Sequence, residues 1–98
     1  MNNSLLKVTV DHIKKLKKTN TRFATLTAYD YTSAQILDKA QIPLILVGDS
    51  ASMMIYGHDT TIPITMDEML LIVRAVCRGV KSSLVVADMP FLSYQPSI

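Results

Sequence analysis

Charge is scarce in this chain. Lys, Arg, Asp and Glu make up 18% of its 98 residues, below the quarter or so usual for a globular protein, which implies that apolar faces meet other protein. The net charge of +2 is too small to argue for a nucleic-acid partner. The one basic cluster, Lys14, Lys15, Lys17 and Lys18, has no interleaved aromatic residues. It reads as the solvated face of an amphipathic helix that begins near Thr9 and buries Val10, Ile13 and Leu16. A single cysteine, Cys77, excludes an internal disulfide and fits a reducing compartment. It falls on the apolar side of a helix and is expected to be inert core. Residues 1–10 contain no signal-peptide core, and no apolar run approaches the ~18 residues of a membrane span. The expectation is a cytoplasmic protein that engages neither nucleic acid nor membrane. Low-complexity tracts and linkers are absent as well, and there is no internal repeat beyond an alternation of strand and helix patterns.

What the chain does have is 49% hydrophobic residues, arranged so that two apolar runs end on aspartate. Leu44-Ile45-Leu46-Val47-Gly48-Asp49-Ser50 and Leu84-Val85-Val86-Ala87-Asp88-Met89-Pro90 both read as buried strands that release a carboxylate at their C-terminal ends. A loop over 50–65 and one amphipathic helix separate them, so parallel strands and a right-handed crossover are expected. Parallelism puts Asp49 and Asp88 on one edge, where α/β sheets place their ligands. Two carboxylates converging there, with no cationic residue adjacent in sequence, are most simply reconciled by a hard divalent cation between them.

The rest of the pattern is regular. Residues 23–29, mixed aromatic and β-branched, read as a first strand. Asp30 stands at the N-cap of a helix over about 31–40 with Ala34, Leu37 and Ala40 on one side. Gln41-Ile42-Pro43 ends that helix. Thr65-Met66-Asp67-Glu68 has the spacing of a capping box, followed at helical period by Met69, Ile72, Val73, Val76 and Val80, with Gly79 marking the end. The fold class is therefore α/β. Three parallel strands alone would leave two long edges exposed and one face poorly covered, and a (β/α)8 barrel needs roughly 250 residues. The expectation is a partial TIM barrel: an N-terminal helix, then about three parallel strands and two helices, forming a single incomplete domain over 1–98. Residues 92–98 are expected to lead into a further helix that the chain cuts short.

Four motifs carry a family resemblance: Thr27-Ala28-Tyr29-Asp30-Tyr31, Val47-Gly48-Asp49-Ser50, Gly57-His58-Asp59-Thr60-Thr61-Ile62-Pro63-Ile64-Thr65 and Ala87-Asp88-Met89-Pro90-Phe91. In this order and spacing the chain, from about residue 7 to 94, resembles the N-terminal third of the ketopantoate hydroxymethyltransferases. These are magnesium-dependent TIM barrels of the phosphoenolpyruvate/pyruvate superfamily that form large homo-oligomers. The resemblance implies transfer of a one-carbon unit from the co-substrate 5,10-methylenetetrahydrofolate to 3-methyl-2-oxobutanoate, giving 2-dehydropantoate on the way to pantothenate. Matched position by position, it makes Asp49 and Asp88 ligands of Mg2+ and, with Ser50, contacts of the 2-oxo acid. It also places the lysine helix at the bottom of the barrel. The general base, a glutamate, and a Lys-x-Glu motif after the fourth strand are expected beyond residue 98, so no catalytic residue is assigned within the chain and the isolated chain is expected to be inactive. Ser52 departs from the family pattern, which more often has glycine there. Its side chain could tighten the loop after Asp49 or point outward.

Plainer readings stand beside these. A lone strand-end aspartate such as Asp88 is more often a cap or turn former; it is the companion motifs that reverse this. His58-Asp59 resembles a metal dyad but lacks partner histidines, which favours a loop-structuring role. Met53, Met54, Met66, Met69 and Met89 read as loop and core filler. Two functional alternatives remain: a catalytically silent truncated product that joins oligomers, or another metal-enolate lyase of the same superfamily.

Overall fold

The computed structural model describes residues 7–90. In chain order the elements are α1 (Val10–Lys18), β1 (Thr25–Thr27), α2 (Tyr31–Lys39), β2 (Leu44–Val47), α3 (Ala51–Met54), α4 (Met66–Gly79) and β3 (Leu84–Ala87). The three strands form one parallel sheet in the order β1-β2-β3. The expected α/β architecture is present, with three parallel strands whose neighbours are consecutive in sequence. The expected helix after residue 92 lies outside the described residues.

Register decides which side chains meet the helices. Leu44 pairs with Leu84, Ile45 with Val85, Leu46 with Val86 and Val47 with Ala87, and residues paired in this way share a face. Ile45 and Val47 are buried in one core with Ala28, Ala34, Ala51, Ile64, Met69, Ile72 and Val76, and Val85 packs against it. The helices α2 and α4 pack on each other, and α4 lies on β2 and β3. Leu46 and Val86, which alternate with these core residues along the strands, are only partly buried or exposed.

The helix ends follow the sequence rules. Asp30 caps α2 by accepting from the Ser33 amide at 2.7 Å. At α4 the capping box is complete: the Glu68 amide donates to Thr65 Oγ1 and the Thr65 amide donates to Glu68 Oε1. Gly79 permits a close helix crossing, because a Cβ there would lie 2.7 Å from the Tyr31 carbonyl oxygen.

Four expectations need correction. First, β1 spans three residues rather than 23–29: Thr25–Thr27 stand in register with β2, and beyond them the Ala28 amide makes one further bond, to the Leu46 carbonyl at 3.1 Å. Second, part of the expected loop over 50–65 is the short helix α3. Third, α1 buries none of its residues: Val10 is 56% exposed, and Ile13 and Leu16 are half-buried. The described structure does not bury the apolar stripe of α1, although the Val8 amide ties its approach to the Ser82 carbonyl. Lys7, Val8 and His12 lie with Gln41, Ile42, Pro43 and Ser82 around one pocket, so the start of α1 sits at the N-terminal edge of the sheet. Fourth, Cys77 is exposed, not core. It lies just beside the stripe buried on α4, formed by Met69, Ile72, Val76 and Gly79. Ala40 is likewise exposed, and among the methionines named above Met69 alone is buried.

A polar contact absent from the sequence pattern holds the same N-terminal end of the sheet. Asp38, near the C-terminus of α2, is buried and accepts from the amides of Lys81, Ser82 and Ser83 at 3.0, 3.0 and 2.9 Å, and from Ser82 Oγ. Burial alone would raise its pKa. The donors from Ser83, Ser82 and Lys81 outweigh that and hold it at about 2, against the usual 3.8. A depressed folded-state pKa stabilises fully above 3.8, and the contribution is lost as pH falls from there toward 2.

Two outcomes follow from these contacts. Gly79→Ala forces a backbone shift at the α2–α4 crossing and is expected to cost about 1–3 kcal/mol by denaturant unfolding; an unchanged midpoint would contradict the crossing. Asp38→Asn turns an amide NH2 toward one of the three backbone donors. It should lower stability by roughly 1–3 kcal/mol at neutral pH and flatten the loss of stability between pH 3.8 and 2. Unfolding titrations across that window check both effects.

Candidate functional site

All three strands deliver polar side chains to the C-terminal edge of the sheet. Beyond β3, the Asp88 amide donates to the Val47 carbonyl at 2.9 Å, which extends the β2–β3 ladder by one bond. The Asp88 carboxylate turns back across β2, where its Oδ2 accepts from the Asp49 amide at 3.2 Å. Asp88 Oδ2 and Ser50 Oγ each lie 3.4 Å from the point where a Cβ on Gly48 would stand. The Asp88 carboxylate and the Ser50 hydroxyl therefore flank the same glycine. The Ser50 hydroxyl is hydrogen-bonded to the hydroxyl of Tyr29, which follows β1. Asp49 and Ser50 are half-buried and Asp88 is exposed. Asp49, Ser50 and Asp88, the three site residues expected from sequence, thus come together at one edge.

Tyr29 was missed as a site residue. The signal was its place two residues past β1, at the same edge as the two aspartates, inside a motif otherwise legible only as strand and cap.

The turn after β2 winds directly into α3. The amides of Ala51, Ser52 and Met53 donate to the carbonyls of Gly48, Asp49 and Ser50 at 3.1, 3.0 and 2.9 Å. Ser52, whose direction the sequence left open, points inward. It is fully buried, and its hydroxyl donates to the Thr60 carbonyl at 2.8 Å. His58 is exposed, and its amide donates to the Ser52 carbonyl at 3.0 Å, so its backbone helps to fold the loop.

Chemically, the edge offers two carboxylates, one hydroxyl already engaged by a phenol, and backbone amides. Among the described residues no group of three or more His, Cys, Asp or Glu is placed to enclose a metal ion.

The motif-bearing segments match known proteins over nearly the whole chain. The sequence model of ketopantoate hydroxymethyltransferase matches residues 7–98. This chain belongs to the ketopantoate hydroxymethyltransferase family. It is 51% identical over 90 residues to the 3-methyl-2-oxobutanoate hydroxymethyltransferase of Mycobacterium leprae (strain TN), covering 92% of this chain and 32% of that protein. The enzyme of the same name from Rhodococcus jostii (strain RHA1) is 52% identical over 91 residues, 93% of this chain and 32% of the relative. That of Dehalococcoides mccartyi (strain CBDB1) is 49% identical over 92 residues, 94% of this chain and 33% of the relative. The chain spans about a third of the length of the curated relatives it matches. Among the described residues of this family member, no helix is long and apolar enough to cross a membrane.

The Tyr29–Ser50 contact supplies a direct check of the site geometry. Tyr29→Phe removes one part-buried hydrogen bond and should lower stability by about 1 kcal/mol. Chemical denaturation of the two proteins measures this, and no difference would mean that the bond is replaced by solvent.

Proposed function

We propose that this chain supplies the divalent-cation and 2-oxo-acid subsite of a hydroxymethyltransferase that moves a one-carbon unit from 5,10-methylenetetrahydrofolate to 3-methyl-2-oxobutanoate, giving 2-dehydropantoate for pantothenate biosynthesis. The observation that carries this reading is the convergence of Asp49 and Asp88 on one sheet edge, with Asp88 Oδ2 against the Asp49 amide, inside motifs that match the family.

The donor set fits Mg2+. Asp88 accepts one long backbone bond through a single carboxylate oxygen, which leaves lone pairs on both of its oxygens, and Asp49 is half-open to solvent. Magnesium is commonly held by one or two carboxylates and keeps several of its waters, so these two aspartates suit it. Asp49 and Asp88 would hold the ion and Ser50 would orient the substrate carboxylate. When bound, the ion would polarise the substrate's keto group and acidify the adjacent C–H.

The remaining steps are electrostatic and positional. A 2-oxo acid brings its own negative charge to an edge that already carries two carboxylates, and binding is favoured only with the cation present. With Tyr29 donating to Ser50 Oγ, the Ser50 hydroxyl hydrogen would be free to donate toward the incoming carboxylate. Neither aspartate is assigned the proton abstraction; that role and the folate contacts are assigned to parts of the whole protein outside this chain. The working form is read as a homo-oligomer; Ile36, Leu70 and Leu71, exposed on the helices, are faces that the rest of the whole protein or a second copy would cover.

Asp88→Asn in the whole protein tests the assignment. It should leave the fold intact, because the Asp49 amide can still donate to the asparagine carbonyl, and should raise the Mg2+ concentration needed for half-maximal turnover by about tenfold or more. An unchanged metal dependence would sink it. The 98-residue chain alone is expected to show no turnover with 3-methyl-2-oxobutanoate and methylenetetrahydrofolate.

A further inference from the structure

Ser52 bonds to three separate points around the candidate site. Its amide donates to the Asp49 carbonyl at 3.0 Å, its carbonyl accepts from the His58 amide at 3.0 Å, and its hydroxyl donates to the Thr60 carbonyl at 2.8 Å. The residue has no solvent exposure. Beside these bonds, the Gly57 amide donates to the Met53 carbonyl at 3.2 Å. Gly57, at φ +73°, reverses the chain between α3 and that loop, so the loop folds back onto Ser52 rather than running outward.

We propose that Ser52 is a positioning residue: its hydroxyl clamps the loop over 57–61 onto the Asp49–Ser50 turn, so that the order of the loop and the order of the turn rise and fall together. The proposal rests on the reading of Asp49 and Ser50 as the ion and 2-oxo-acid site. Two of the three bonds are made by the backbone and survive any substitution that keeps α3. The third needs a side-chain donor. Glycine at this place would remove that donor and add backbone freedom at a helical position. The Ser52 hydroxyl thus stiffens the loop, which tunes substrate binding without supplying any step of the reaction. The loss of one buried hydrogen bond leaves the Thr60 carbonyl without its protein partner and weakens the closure that also holds the His58 amide.

The test is residue-resolved amide hydrogen exchange in the whole protein, comparing wild type with Ser52→Ala and Ser52→Gly. Both substitutions remove atoms from a buried site, so neither is blocked by overpacking. The expected result is a roughly fivefold rise in exchange at the His58 amide and, with it, at the Ser52 and Met53 amides that donate to Asp49 and Ser50. Exchange in β2 should be unchanged. In the same variants the KM for 3-methyl-2-oxobutanoate should rise about threefold with kcat within twofold. Unchanged exchange at His58 overturns the clamp. Faster exchange at His58 with no change at Ser52, Met53 or KM overturns the coupling to the turn. If the wild-type protein shows no turnover with this substrate, the functional reading fails, and the exchange at the turn amides still decides the clamp.

Discussion

Parallel pairing of β2 with β3, in the register that sets Leu44 beside Leu84 and Val47 beside Ala87, fixes both the core and the candidate site. A slip of one residue would carry Ile45 and Val47 to the opposite face of the sheet. Each is fully buried, and such a side chain is worth about 1.5–3 kcal/mol. The same slip would draw Asp88 away from the Asp49 amide. Burial of Ile45 and Val47 therefore selects the one register in which the Asp88 carboxylate reaches the Asp49 amide at the strand end. The placement of the polar groups is a consequence of where the apolar ones must go.

The two ends of this short sheet are built differently. At the N-terminal edge, Asp38 gathers three amides of the segment entering β3, Ser83 Oγ donates to the Ile42 carbonyl, and the Leu84 amide donates to the Pro43 carbonyl. These bonds are internally satisfied and leave that carboxylate little to offer a ligand. At the C-terminal edge the carboxylates of Asp49 and Asp88 stay accessible, with Asp88 spending one oxygen on one amide. One edge is thus closed by internal bonds, while the other keeps polar groups that a ligand could meet.

Local patterns in the sequence carried much of this. The apolar runs, the Asp30 cap and the Thr65–Glu68 capping box each depend on residues a few positions apart, and each is found where its spacing puts it. The meeting of Asp49 and Asp88 was legible because parallel topology follows from strand–helix alternation. What was not legible depends on distant partners. Asp38 sits beside Lys39 near a helix end and looks solvated; its donors lie more than forty residues away, in a Lys-Ser-Ser stretch with no distinctive pattern of its own. The apolar stripe of α1 promised burial, but periodicity gives a face and not a partner, and Val10 remains exposed. Cys77 lies close enough to the buried stripe of α4 to look like core while its side chain is exposed. Ser52 could not be oriented because its hydroxyl partner is a backbone carbonyl, and every residue type carries one.

The most direct test of the shared site is a crystal structure of the whole protein with Mn2+ in place of Mg2+ and 3-methyl-2-oxobutanoate bound, with the ion located by anomalous scattering. The account predicts a single peak at coordination distance, about 2.0–2.3 Å, from carboxylate oxygens of both Asp49 and Asp88, with Ser50 against the substrate carboxylate. A peak held by other residues, with either aspartate turned away from it, would contradict the account.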